Sequence, residues 1–156
     1  MTSLFDIKFE NGLMKIPCFP IADETETLLR NLIAYEQQSF DVQPKYFSDY
    51  ATFMDHLIDS DKDVNFLRQK GLIVNWIGDD TKVANFFNKI GNGVTPSSDF
   101  YYKEECLKAA EHCEKPWNKM KLSMEAYKET TYGSQMGILK WFTIENTSSH
   151  MVHQRE

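Results

Sequence analysis

Few side chains in this sequence have types and spacings that invite chemistry. Asp55 and Asp59 stand at i and i+4, which puts two carboxylates on one helical face, the arrangement used by metal sites and acid–base pairs. Both fall off the apolar stripe of their segment, so a solvated acidic face is the plainer reading. Cys106, His112 and Cys113 form a Cys–His cluster of the kind zinc uses, but a structural zinc takes four ligands in paired short spacings and the sequence has no second pair. Seven residues of helix would separate Cys106 from Cys113 by about 10 Å along the axis. That is too far for a disulfide, and both thiols read as core filler. His150 and His153 would meet only if the tail were helical, and nothing beside them offers further ligands. Neither a Gly-x-Ser-x-Gly elbow nor a phosphate-cradling glycine loop occurs. Asn146-Thr147-Ser148 matches a glycosylation acceptor, but without an export signal the match reads as accidental. The expectation is no catalytic residues, no metal and no cofactor.

The elements that would position these groups are mainly helical. Phe5, Ile7 and Phe9 alternate with Asp6, Lys8 and Glu10, Asn11-Gly12 tolerates positive φ, and Leu13 to Ile16 resumes the apolar run, so an N-terminal β-hairpin is expected. Pro17 and Pro20 then limit the continuation to an edge or an extended arm. Asp23 with Glu26 has capping-box spacing and opens a helix over about 24–37. After the break at Pro44, Tyr46, Tyr50, Phe53, Met54, Leu57 and Ile58 trace a second helical stripe, with Asp49 off it. Ser60 with Asp63 caps a third helix that buries Val64 and Leu67 and ends at Gly71, where Leu72 packs backward. The run 72–77 is too short and too apolar for periodicity to decide between a strand and a buried connector, and Trp76 within it is expected in the core. Gly78-Asp79-Asp80 starts a fourth helix with Val83, Phe86, Phe87 and Ile90 on one face and Gly91 at its end.

Tyr102, Cys106, Ala110, Cys113, Trp117, Met120, Met124 and Tyr127 then recur in a 4-3-4-3 seam, a long last helix that Pro116 must kink or divide. The expected architecture is mainly α, about five helices with a small N-terminal hairpin. A helical domain over 1–131 would be followed by a loosely ordered tail over 132–156, in which Ile138 to Ile144 could be a strand or docking patch.

Composition narrows the function classes. A chain of 156 residues with 42% hydrophobic and 13% aromatic content can fill one modest core. Its formal net charge of -6 disfavours nucleic acid as a partner, since phosphate recognition needs dense basic patches. Three cysteines at unremarkable spacing favour a reducing, intracellular compartment. No apolar run is long enough for a transmembrane helix.

Some stretches are more specific than helix patterns require: Gly12-Leu13-Met14-Lys15-Ile16-Pro17, Thr25-Glu26, and Arg30-Asn31-Leu32-Ile33-Ala34-Tyr35-Glu36-Gln37. Phe53 to Ile58, Asp63-Val64, Leu67-Arg68, Lys70 to Ile73, Asn75 to Gly78, Val83-Ala84 and Phe87-Asn88 follow in the same order. In these the chain, over roughly Phe5 to Tyr127, resembles the C-terminal part of the plant domain-of-unknown-function 247 family, also called uncharacterised protein family 0481. The resemblance implies much longer relatives, of which this chain would be a fragment, a truncated product or an abbreviated paralogue. It also implies an apolar, membrane-spanning segment after the long helix in those relatives, to which nothing in Thr130 to Glu156 corresponds. No catalytic residues are established for the family, and some grass members are associated with pollen recognition in self-incompatibility.

The leading expectation is a non-enzymatic helical interaction or recognition module of a plant protein, with a protein partner. Asn31, Tyr35, Glu36 and Trp76 are its family-motif candidates, serving either packing between helices or binding. Phe86, Phe87, Trp117 and Met120 are the expected interaction surface, as aromatic faces that a truncated core would leave bare. The rivals are a metal-dependent or acid–base enzyme built on Asp55 and Asp59 or on the Cys/His cluster, and a remnant with no activity of its own.

Overall fold

The computed structural model describes residues 3–95, 99–114 and 143–146. Two strands, β1 (Lys8–Glu10) and β2 (Leu13–Ile16), form the expected hairpin, with Glu10 opposite Leu13. Asn11 and Gly12 both take positive φ, 54° and 80°, the two left-handed residues of a turn that matches strand twist. The positive φ favours glycine at position 12, and a Cβ there would also stand 2.9 Å from the ring of His112, which would have to shift. A third strand, β3 (Phe19–Ile21), leads into α1 (Thr25–Gln38). Asp23 does not cap that helix. Glu24 already has helical φ and ψ and takes the N-cap position, and the Ala22 amide donates to the Thr25 hydroxyl at 2.9 Å instead.

Helix α2 (Tyr46–Leu57) buries the predicted stripe, Tyr50, Phe53, Met54 and Leu57, with Ile58 beyond it. Helix α3 (Asp61–Gln69) carries the predicted capping box between Ser60 and Asp63. It ends in a Schellman closure, the Leu72 amide donating to the Leu67 carbonyl at 2.9 Å and the Gly71 amide to the Arg68 carbonyl at 3.0 Å. Gly71 sits at φ 71°, and Leu72 and Leu67 are both buried, as the backward packing of Leu72 requires.

The ambiguous run resolves into a strand, β4 (Ile73–Asn75), parallel to β3. Its alternation buries Ile73 and turns Val74 outward. Trp76, expected in the core, is 73% exposed, because the strand ends at Asn75 and the next residue emerges on the solvent side. Helix α4 (Asp80–Ile90) is capped by the Asp79 carboxylate, which accepts the Thr81 and Lys82 amides at 2.9 and 3.3 Å. Phe86 and Phe87, expected on a bare face, are instead 5% and 0% exposed. The core inside the described residues is closed around them.

In α5 (Lys103–Glu114) the buried face runs through Glu105 and Ala109 after Tyr102, with Cys106 half-buried beside it. The rest of the predicted seam, including Trp117, Met120 and the kink at Pro116, lies outside the described residues. Within the stretch read as a tail, β5 (Thr143–Asn146) is a strand, giving a three-stranded sheet of order β1-β2-β5 beside the two-stranded β3-β4 pair.

Candidate functional site

The Asn31–Tyr35–Glu36 set divides between the interior and the surface. Leu29, Ile33 and Glu36 share the buried face of α1 at i, i+4 and i+7. A carboxylate at a core position needs partners, and Glu36 finds them at the start of α2, whose N-cap residue Lys45 offers no capping oxygen. Its Oε1 accepts the Phe47 amide at 3.0 Å, and its Oε2 accepts the Ser48 amide at 2.8 Å and the Ser48 hydroxyl at 2.9 Å. One helix thus caps another, with the negative charge where the α2 dipole favours it. Gln37 extends the clamp, its Nε2 donating to the Ser48 hydroxyl at 3.1 Å and its Oε1 accepting the Thr95 amide at 3.3 Å.

Asp49, one residue further along α2, is also buried and accepts the Tyr101 amide at 2.8 Å. Burial pushes its carboxyl above the usual aspartate range. The Tyr101 hydrogen bond opposes that rise, and the charges of Glu36 and Asp99 add to it. Beside it Tyr50 and Tyr102 are nearly fully buried, and among the described residues neither hydroxyl has a hydrogen-bond partner. Burial pushes both phenols upward, so they fill space as neutral rings.

Asn31 and Tyr35 lie on the exposed side of α1, Tyr35 at 64% exposure. With Leu28, 58% exposed, and the half-buried Leu32, Tyr35 makes a second apolar stripe at i, i+4 and i+7, about 100° around the axis from the buried one. Phe40, just past the helix, is 96% exposed. Two hollows flank α1. One of about 350 Å³ lies toward α4, between Asp23, Glu26, Lys82 and Lys89 over Phe86. The other, of about 330 Å³, lies between Arg30, Gln37 and Val94.

Among the described residues the other chemical candidates are not assembled; His150, His153 and the Cys113 side chain lie outside them. Asp55 belongs to α2, but the helix ends at Leu57, so Asp59 lies beyond the extended C-cap Ile58 and the two carboxylates do not share a helical face. Asp55 faces the C-terminal end of α4, near Gly91. Cys106 is half-buried, and burial followed by the Glu105 charge pushes its thiol up; burial does the same to Cys18. His112 packs edge-on against Phe9 with ring centroids 5.6 Å apart. Among the described residues no group of three or more His, Cys, Asp or Glu is placed to hold a metal ion, and no helix is long and apolar enough to cross a membrane.

Sequence reasoning missed Asp49 and could not choose a role for Glu36. The available signal was the place of Glu36 on the Leu29–Ile33 stripe, followed downstream by a helix with no capping residue of its own.

The family model described as a plant protein of unknown function, the domain-of-unknown-function 247 family, matches residues 1–142. The chain belongs to this family. A putative UPF0481 protein of Arabidopsis thaliana is 33% identical over 84 residues, covering 54% of this chain and 16% of that relative. Another UPF0481 protein of the same plant is 27% identical over 116 residues, covering 74% of this chain and 24% of that relative. The domain-of-unknown-function 247 segment seen here thus spans a quarter or less of either relative. No solved structure matches the chain.

Proposed function

We propose that this segment of the domain-of-unknown-function 247 family is a non-enzymatic interaction module that holds a protein partner on the outer face of α1. The carrying observation is the second apolar stripe, with Leu28 and Tyr35 exposed and Leu32 half-buried, lying beside a face already committed to the core. A surface helix normally shows one apolar stripe, and a second one left in water is the mark of a contact made elsewhere. Covering it returns roughly 25 cal/mol for each Å² of apolar surface, and a tyrosine supplies the rigid amphipathic anchor that interface centres favour. Asn31 adds an exposed amide between Leu28 and Tyr35 for a directional hydrogen bond. The clamp of Glu36 and Gln37 onto α2 holds this face rigid, which lowers the ordering cost of binding.

The test is photo-crosslinking in plant extract from a reactive side chain placed at Asn31, comparing the wild type with Leu28→Glu/Tyr35→Glu. A discrete crosslinked protein in the wild type, absent from a variant with an unchanged thermal melt, is the expected result. The same crosslinks from both proteins would overturn the proposal.

A further inference from the structure

The two edges of the N-terminal hairpin are finished in different ways. In the register Phe9↔Met14 the amide of Phe9 turns away from β2, and the buried Glu105 on α5 accepts it through Oε2 at 2.6 Å. A carboxylate therefore closes the β1 edge. On the other side, the same alternation turns the backbone groups of Met14 and Ile16 outward from the hairpin. Both residues are buried, 1% and 2% exposed, so those groups must be hydrogen-bonded. The partner is backbone: Thr143–Asn146 runs parallel to β2 in the register Leu13↔Thr143 to Ile16↔Asn146. The family match spans residues 1–142, so the demand lies inside the family segment while the strand that meets it lies outside.

We infer that the β2 edge is a strand-docking site, taking an extended peptide segment of a partner protein parallel to Leu13–Ile16, and that Thr143–Asn146 is its exchangeable in-chain occupant. The register also states the chemistry of the guest. Its first two residues are β-branched, as Thr143 and Ile144 are, which suits the pleated edge. Its third is acidic, as Glu145 is, opposite Lys15, whose ammonium pairs with Glu10 at 2.9 Å and would be repelled by a basic residue at that position. Main-chain pairing supplies the affinity and the register supplies the selectivity. This edge uses none of the α1 residues of the proposed function, and the two readings fail separately.

The test uses the whole chain and a fluorescent peptide with the sequence of residues 141–148, followed by anisotropy. In the variant Ile144→Pro/Glu145→Pro the in-chain strand loses ladder amides, since one of two successive amides must face β2. The peptide should bind that variant saturably and about tenfold or more tighter than wild type, where the in-chain strand competes. A peptide carrying Glu145→Lys should bind the variant more weakly by about fivefold or more. Absence of binding to a variant that melts cooperatively, or equal binding to both proteins, would overturn the inference. Should the variant fail to fold, the wild type is titrated with the peptide carrying a photo-crosslinker in place of Ile144. Crosslinks at residues 13–16 that rise with peptide concentration are expected, and their absence or a different location overturns it.

Discussion

Helices α1 and α4 carry similar numbers of apolar side chains and use them differently. In α4, Val83, Ala84, Phe86, Phe87 and Ile90 are all buried, and Thr81, Lys82, Asn85 and Lys89 face water. Its N-terminus is closed by Asp79, a residue of its own approach. In α1 the pattern is partly inverted: a carboxylate, Glu36, holds a core position while Leu28 and Tyr35 stand in solvent. Helix α4 is therefore complete within this fold, whereas α1 has an interior duty toward α2 and an apolar surplus outside. Where a binary pattern is broken in both senses on one helix, the cause is a constraint other than core filling.

Four comparisons would break or sharpen this contrast. The largest effect belongs to α4: Phe87→Ala, at a fully buried ring, should cost about 3–5 kcal/mol in urea unfolding, against less than about 1 kcal/mol for the exposed Trp76→Ala. Equal losses would contradict the closed core around α4. Next comes Glu36→Ala, which orphans the Phe47 and Ser48 amides and should cost about 2–3 kcal/mol, while Glu36→Gln, keeping one acceptor oxygen, should lose clearly less. If the two variants melt together, the interhelical cap is not what Glu36 provides.

A smaller effect concerns pH. The Asp49 carboxyl is raised in the fold, so its contribution to stability is fully present below the unfolded value near 4 and is lost as pH rises through the folded value. Asp49→Asn should remove that decline and leave stability at pH 7 equal to or slightly above wild type, since the amide oxygen still accepts from Tyr101. A variant less stable at pH 7 than at pH 4 by the wild-type margin would refute this. The smallest effect is expected on the outer face of α1, where Leu28→Ser/Tyr35→Ser should change the unfolding free energy by no more than about 0.5–1 kcal/mol. A larger loss would mean that the stripe supports the fold and is not left over from it.

The legible parts of the fold were those set by local chemistry. Asn11-Gly12 can hardly be anything but a tight hairpin turn, and Ser60 with Asp63, then Gly71 with Leu72, state both ends of α3 in the sequence. Periodicity also placed Tyr50, Phe53 and Leu57 correctly, because a long amphipathic stripe has a phase. Trp76 had none: a run of six residues that is apolar except at Asn75 does not say which of them faces in, and only pairing with β3 fixes the alternation. Phe86 and Phe87 were read correctly as a helical stripe and wrongly as a bare surface, because what covers a stripe is a tertiary matter. The Glu36 clamp was half visible, as a charge on a core stripe. Its partner amides belong to a different helix, which no local pattern connects to it.

The short parallel clasp between β3 and β4 also bears on how the chain reaches this fold. It joins segments roughly fifty residues apart, a closure that costs about 3–4 kcal/mol of chain entropy if the intervening chain is unstructured, against three paired residues on each side. Helices α1, α2 and α3 lie within that span and shorten it when they form, so the clasp is expected to close late, after the helices have docked. Speed of folding and lifetime of the folded state would then be governed by different parts of the molecule. In stopped-flow measurements Ile73→Val should hasten unfolding while leaving the refolding rate almost unchanged, and slowed refolding would place the clasp in the nucleus instead. The three-residue ladder would act as a latch, adding little to how fast the helices assemble and much to how long they stay assembled.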